Sequence, residues 1–146
     1  MVKGAARPYR HCMERIASIW RSFRALPGWV QIWVAVILGP MNLAGFAFLE
    51  APQAGTVIAL SLIGMAPNLW FMWVERGFSK IMALPHLLPW TAQVIWLLAV
   101  MLSETAPGGA FGAYLWALTG VNTLSLAFDY PDALKWWRGD RAIAGA

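Results

Sequence analysis

Residues 29–49 read WVQIWVAVILGPMNLAGFAFL, twenty-one positions without a charged side chain. At 1.5 Å rise per residue, a helix of about 20 residues crosses the roughly 30 Å hydrocarbon core of a bilayer and satisfies its own backbone polar groups there. The stretch is therefore expected to be a transmembrane helix. A cleaved signal peptide is the competing reading, but its apolar run is usually about 7 to 15 residues and ends at a small-x-small site. This run is longer and has no convincing site of that kind.

Three more stretches free of Asp, Glu, Lys and Arg follow, at 56–74, 84–103 and 110–128. The linkers are short: 50–55 is EAPQAG, 75–80 is ERGFSK and 104–109 is ETAPGG, with Pro and Gly as helix stops. The expected fold class is thus an all-α integral membrane protein with four transmembrane helices, spanning 29–128, between an N-terminal segment 1–28 and a tail 129–146. Composition agrees, since 60% of the 146 residues are apolar and only 12% are charged, where about 25% is usual for a soluble domain. Cys12, the single cysteine, excludes an internal disulfide. The net charge of +4 does not imply nucleic acid, because that reading needs a basic face on a soluble module.

The basic residues have another use. Lys3, Arg7, Arg10, Arg15, Arg21 and Arg24 precede the first span, Arg76 and Lys80 lie in the middle linker, and Lys135, Arg138 and Arg141 follow the last span. The first and third linkers have none. Lys and Arg near span ends are retained on the cytoplasmic side, so both termini and the middle linker are expected in the cytoplasm, facing the anionic inner leaflet of a bacterial inner membrane. Trp20, Trp29, Trp73, Trp136 and Trp137 fall at the same boundary and are expected to anchor it.

Before the first span, Met13, Ile16, Ile19, Trp20, Phe23 and Leu26 recur at helical spacing, with Arg15, Ser18, Arg21, Ser22 and Arg24 mainly opposite. This spacing predicts an amphipathic interfacial helix, apolar face toward the membrane and Arg toward headgroups. His11-Cys12-Met13 cannot present three ligands to one ion from a helix, and no metal or cofactor is expected. In the tail, Pro131 with Asp132 suits a new helix start and Gly139 a stop, which predicts a short C-terminal interfacial helix carrying Trp136 and Trp137.

No Asp, Glu, Lys or Arg falls in the middle of a span, which leaves neutral polar groups as candidates for a site. Asn42, Asn68 and Asn122 occupy the first, second and fourth spans, Thr91 and Gln93 the third, and Thr119, Ser125 and Asp129 extend a stripe on the fourth. An amide in hydrocarbon is costly without a partner, so these side chains are expected to face the bundle and hydrogen-bond across helices, as glue or as a solute cluster. Thr91 and Gln93 point about 200° apart, so only one can face the cluster. Gly39-Pro40-Met41-Asn42 and Gly64-Met65-Ala66-Pro67-Asn68 resemble a weak inverted repeat.

The densest candidate is 75–90, ERGFSKIMALPHLLPW. Glu75, Arg76, Ser79, Lys80, His86, Trp90 and Asp129 would form a cytoplasmic mouth. Pro85 disfavours helix at Leu84, so 81–88 is expected as a short interfacial or re-entrant segment, with Trp90 at the headgroup level.

In size and four-span layout the chain resembles the small multidrug resistance transporters, but that family's glutamate in the first helix has no counterpart here, and its function is not carried over. Trp content and length resemble the tryptophan-rich sensory proteins, which have five helices. No catalytic constellation is present: there is no phosphate loop and no Cys beside a base, so an enzyme is not expected. The expected role is a non-catalytic interaction or accessory protein of a membrane assembly, with a hetero-partner membrane protein. The alternatives are a homo-oligomeric transporter or channel for a small neutral or weakly polar solute, and a pigment or lipid binder.

Overall fold

The computed structural model describes residues 6–146, with side chains from Tyr9 onward; Lys3 and the Arg7 side chain lie outside the described residues. The chain is all-helical, with an N-terminal helix α1 (Ala6–Ala25) and four helices long and apolar enough to span a membrane. These are α2 (Gly28–Phe48), α3 (Ala54–Glu75), α4 (Leu84–Met101) and α5 (Gly109–Trp137). Helix α4 packs along both α3 and α5, and α2 closes the ring by touching α3 and α5. One end of the bundle is filled by Val57, Leu97, Met101, Tyr114, Leu115 and Leu118, and the other by Leu38, Trp90 and Leu126.

Proline shapes each span differently. In α2 the Pro40 ring would collide with the carbonyl of Val36, and the helix responds by widening the preceding turn. Trp33–Leu38 is π-helical, and the Gly39 N–H reaches back five residues to the Val34 carbonyl. Helix α3 passes Pro67 without changing type.

Two expectations are corrected here. A 3₁₀ turn (Lys80–Ala83) runs directly into α4, with Leu84 itself helical (φ −58°, ψ −45°), so 81–88 is not an irregular re-entrant segment. Pro85 sits in the first turn, where no intrahelical N–H is lost. Likewise there is no separate C-terminal helix, because α5 continues through Pro131 to Trp137. The carbonyl that Pro131 leaves without its intrahelical donor belongs to Ala127, an exposed residue.

The end that collects the basic residues is built from three pieces. Arg15 donates from Nη1 to the Trp73 carbonyl (2.9 Å) with its guanidinium over the Trp73 ring, and Ser18 donates to the Arg76 carbonyl (2.9 Å). The first of these serves one of the four α3 carbonyls that have no partner within the helix, and the second pins the residue just beyond it. Ser22 accepts from the Phe78 N–H (2.8 Å). Thus Arg15 faces the protein rather than headgroups, and the apolar residues divide: Tyr9, Met13, Ile16 and Trp20 are exposed, while Ile19, Phe23 and Leu26 are partly covered. The tail folds back onto this platform. Ala144 N–H donates to the Phe78 carbonyl (2.9 Å), and a side chain at Gly77 would lie 2.6 Å from both Ser22 Oγ and Ile143 Cγ2.

Lys80 pairs with Asp140 at 2.8 Å, and this hydrogen bond holds the Asp140 carboxyl below its usual range. Because folding lowers the Asp140 value, the pair stabilises the tail fully above the ordinary Asp range and is lost as pH falls through the folded value. Acidification should therefore shift the Ala144 amide resonance of the solubilised protein, and Lys80→Met should produce the same shift at neutral pH. An Ala144 resonance unmoved in both cases would contradict this.

Candidate functional site

Four buried side chains tie the spans together near their midpoints. Asn42 on α2 and Asn122 on α5 form a reciprocal amide pair: Asn42 Nδ2 donates to Asn122 Oδ1 (2.9 Å) and Asn122 Nδ2 to Asn42 Oδ1 (3.2 Å). Asn122 Nδ2 also donates to Gln93 Oε1 on α4 (3.0 Å), and Gln93 Nε2 donates to the Val57 carbonyl and to Ser61 Oγ on α3, both at 3.1 Å. Gln93, Asn122 and Ser61 are fully inaccessible and Asn42 is 1% exposed. Each bond replaces an unsatisfied polar group in an apolar core.

A second chain of polar groups lies nearer the basic end. His86, in the first turns of α4, receives Asn68 Nδ2 at its Nε2 (2.7 Å) and meets Asp129 Oδ2 with its Nδ1 (3.1 Å). With the Asn68 amide donating, the proton of a neutral imidazole sits on Nδ1 and is donated to the Asp129 carboxylate, which Ser125 also contacts at 3.4 Å. The imidazole stacks on Trp90, with centroids 3.9 Å apart and planes 2° from parallel. Trp90 is fully buried inside the bundle; its ring rests on Gly64, whose missing side chain provides the room. Asn68 Oδ1 and Trp90 Nε1 have no hydrogen-bond partner among the described residues.

The polar residues singled out in the sequence thus separate into two sets. Asn42, Gln93 and Asn122 meet, whereas Asn68 joins His86 and Asp129, and the two Gly-Pro-Asn echoes end in different surroundings. Thr91 points outward to the Tyr130 hydroxyl (2.9 Å), beside a shallow apolar groove of about 360 Å³ between α4 and α5, and Thr119 bonds only its own Leu115 carbonyl (2.8 Å). Of the supposed mouth, Glu75 bonds Ser79, Lys80 pairs with Asp140, and Arg76 occupies a left-handed position (φ 57°) after α3. Trp20, Trp29 and Trp137 are exposed, Trp73 is more covered at 38%, and Trp136 lies under Arg141. Ser61 was not anticipated, though it lies three residues before Gly64 and seven before Asn68, on the same helical face.

Chemically, His86 Nε2 faces an amide, so among the described residues no hydroxyl or thiol stands there to be activated. No protein-family model, curated protein or solved structure matches the chain.

Proposed function

We propose that this protein is a multi-pass protein of the bacterial inner membrane, with both termini in the cytoplasm, acting as a non-catalytic accessory subunit that binds another membrane protein. The observation that carries this reading is the central tie. Asn42, Ser61, Gln93 and Asn122 hydrogen-bond one another across all four spans, closing the bundle axis where a solute path through one copy would run. Their polar capacity serves cohesion. The orientation rests on the Lys and Arg distribution, with Arg76, Lys80 and the tail at one end.

The outward faces of α2 and α3 are the expected contact. Only 17% of the most apolar 18-residue stretch of each of these spans is buried in the bundle, against 33% and 44% for the other two, and Val36, Leu69 and Trp70 are each about two-thirds exposed. Photocrosslinkers placed at Val36, Leu69 and, on α4, Leu88 in the native host should capture one discrete heterologous membrane protein from Val36 or Leu69 and none from Leu88. A band at twice the chain mass would support the homo-oligomer instead, and lipid adducts alone at all three would overturn the accessory role. A C-terminal alkaline phosphatase fusion should be inactive, since that enzyme requires export; an active fusion would overturn the orientation.

A further inference from the structure

The last seven residues, 140–146, touch three parts of the molecule at once. Ala144 N–H donates to the Phe78 carbonyl (2.9 Å) and Ile143 pairs antiparallel with Ser79, which seats the segment on the turn after α3. The same segment reaches α1. A Cβ at Gly77 would lie 2.6 Å from both Ile143 Cγ2 and Ser22 Oγ, and one at Gly145 would lie 2.7 Å from Ala25 Cβ. Lys80, in the turn that leads into α4, holds Asp140 at 2.8 Å.

Helix α1 is itself attached along one side only. Arg15, Ser18 and Ser22 bond the Trp73 carbonyl, the Arg76 carbonyl and the Phe78 N–H, and Phe23 lies against Phe78 with centroids 5.6 Å apart. Tyr9, Met13, Ile16 and Trp20 are half or more exposed, so among the described residues nothing holds the helix from that side. At its C-terminal end Gln31 fixes the corner by donating to the Arg24 and Leu26 carbonyls, and Pro27 is extended there (φ −51°, ψ 140°). Helix α1 is thus an arm fixed at one corner, and the contacts at Ser22 and Ala25 lie against residues 140–146.

The segment is lightly seated. Only Ile143 and Ala144 are partly buried, and the other five residues are exposed. An open recess of about 220 Å³, lined in part by Ser18, Ser22 and residues 143–146, separates it from α1, whereas well-packed regions leave few voids larger than a water molecule. Gly139 (φ 101°) and Gly145 (φ 74°) let the chain leave α5 and close over Ala25 in conformations that other residues rarely adopt. Few buried contacts and exposed hydrogen bonds mark a unit that opens before the rest of the fold, and an exposed ion pair is weakened by salt.

We propose that residues 140–146 form a releasable strap that locks α1 against the end of the bundle. Its release frees the N-terminal part of α1, with the apolar stripe Tyr9, Met13, Ile16 and Trp20, to pivot about the Pro27 corner. The ion pair between Lys80 and Asp140 sets how firmly the strap is closed. This device does not depend on the partner proposed above, since every contact it uses lies within one chain.

The test is the distance distribution between nitroxide labels on the full chain in mild detergent, at Met13→Cys and Leu88→Cys with Cys12→Ser. Both labelled positions are exposed and outside the strap. One narrow distance should dominate, with a minor broad population that rises about threefold between about 0.05 and about 1 M salt as the ion pair is screened. Lys80→Met should raise that population at low salt and remove its response to salt. Ile143→Asp/Ala144→Pro sets a charge against Gly77 and Ser22 and deletes the N–H given to Phe78, and should raise it about tenfold. A second label pair, Val36→Cys and Leu88→Cys, lies within the spans and should stay narrow throughout. Equally narrow α1 distances with and without Ile143→Asp/Ala144→Pro would show that α1 is held without the strap, and would overturn the proposal. Broadening of the pair within the spans would make residues 140–146 a part of the bundle fold, and absence of the broad population at every salt concentration would make them a fixed tail; either result would overturn release.

Discussion

Asn122→Leu should destabilise the bundle by about 2 to 4 kcal/mol, the range expected when several buried hydrogen bonds are lost and their partners stay buried. The substitution removes both halves of the amide pair with Asn42 and the bond to Gln93, and leaves Gln93 Oε1 and the Asn42 amide facing leucine. Asn42 keeps only its bond to the Leu38 carbonyl on its own helix (3.1 Å). Thermal unfolding in mild detergent measures the effect. Adding Asn42→Leu should recover part of the loss, because removing both members of a buried polar pair is less costly than removing one. An Asn122→Leu protein as stable as wild type would show that the tie is not holding the helices, and would reopen the axis to a solute role. If stability falls as expected while the heterologous crosslink persists, the tie is cohesive rather than a contact with the partner.

The second large effect is expected at Gly64→Ala. A Cβ there would lie 2.3 Å from Trp90 Nε1, 2.8 Å from Cδ1 and 3.0 Å from Cε2. The indole cannot swing away freely, because it is fully buried and stacked on His86. Overpacking of this kind is expected to cost about 3 kcal/mol, and the displaced ring should carry His86 out of line with Asn68 and Asp129. Loss of the near-ultraviolet Trp signal together with a lower melting temperature would report it. Trp90→Val removes the pyrrole edge that the new methyl meets, so Gly64→Ala/Trp90→Val should be more stable than the sum of the two single losses predicts. Strict additivity, or an unchanged Trp signal in Gly64→Ala, would mean that Trp90 does not rest on this glycine.

Much of the architecture was legible because bilayer-length apolar runs are a one-dimensional property. The expected span at 29–49 appears as Gly28–Phe48, and that at 56–74 as Ala54–Glu75. The errors in helix boundaries fall at proline. Pro85 and Pro131 were read as boundaries from local preference, yet one lies in a first turn where no hydrogen bond is lost, and the helix continues straight through the other. The amphipathic face of α1 was legible, but its Arg15 was assigned to headgroups, since nothing local shows that the end of α3 offers a carbonyl and an indole to receive it.

For the candidate site the division is similar. That buried amides would seek partners across helices follows from the cost of desolvation, and the angular spacing of Thr91 and Gln93 limited which of them faces inward. Partner choice was not legible. Asn42 and Asn68 have nearly the same sequence surroundings, but one meets Asn122 and the other His86, because helix rotation and relative height are set by packing, including the close approach of Trp90 to Gly64.

The sequence by itself determined the number of helices of spanning length, the segregation of Lys and Arg, and the need for buried amides to pair, since each depends only on chain length, charge and desolvation. The tertiary structure alone decided that the polar residues form two separate networks, that Trp90 is interior, and that Arg15 binds the end of α3. Those are distances between residues on different helices, and they are settled when side chains of fixed shape pack together, which no local pattern encodes.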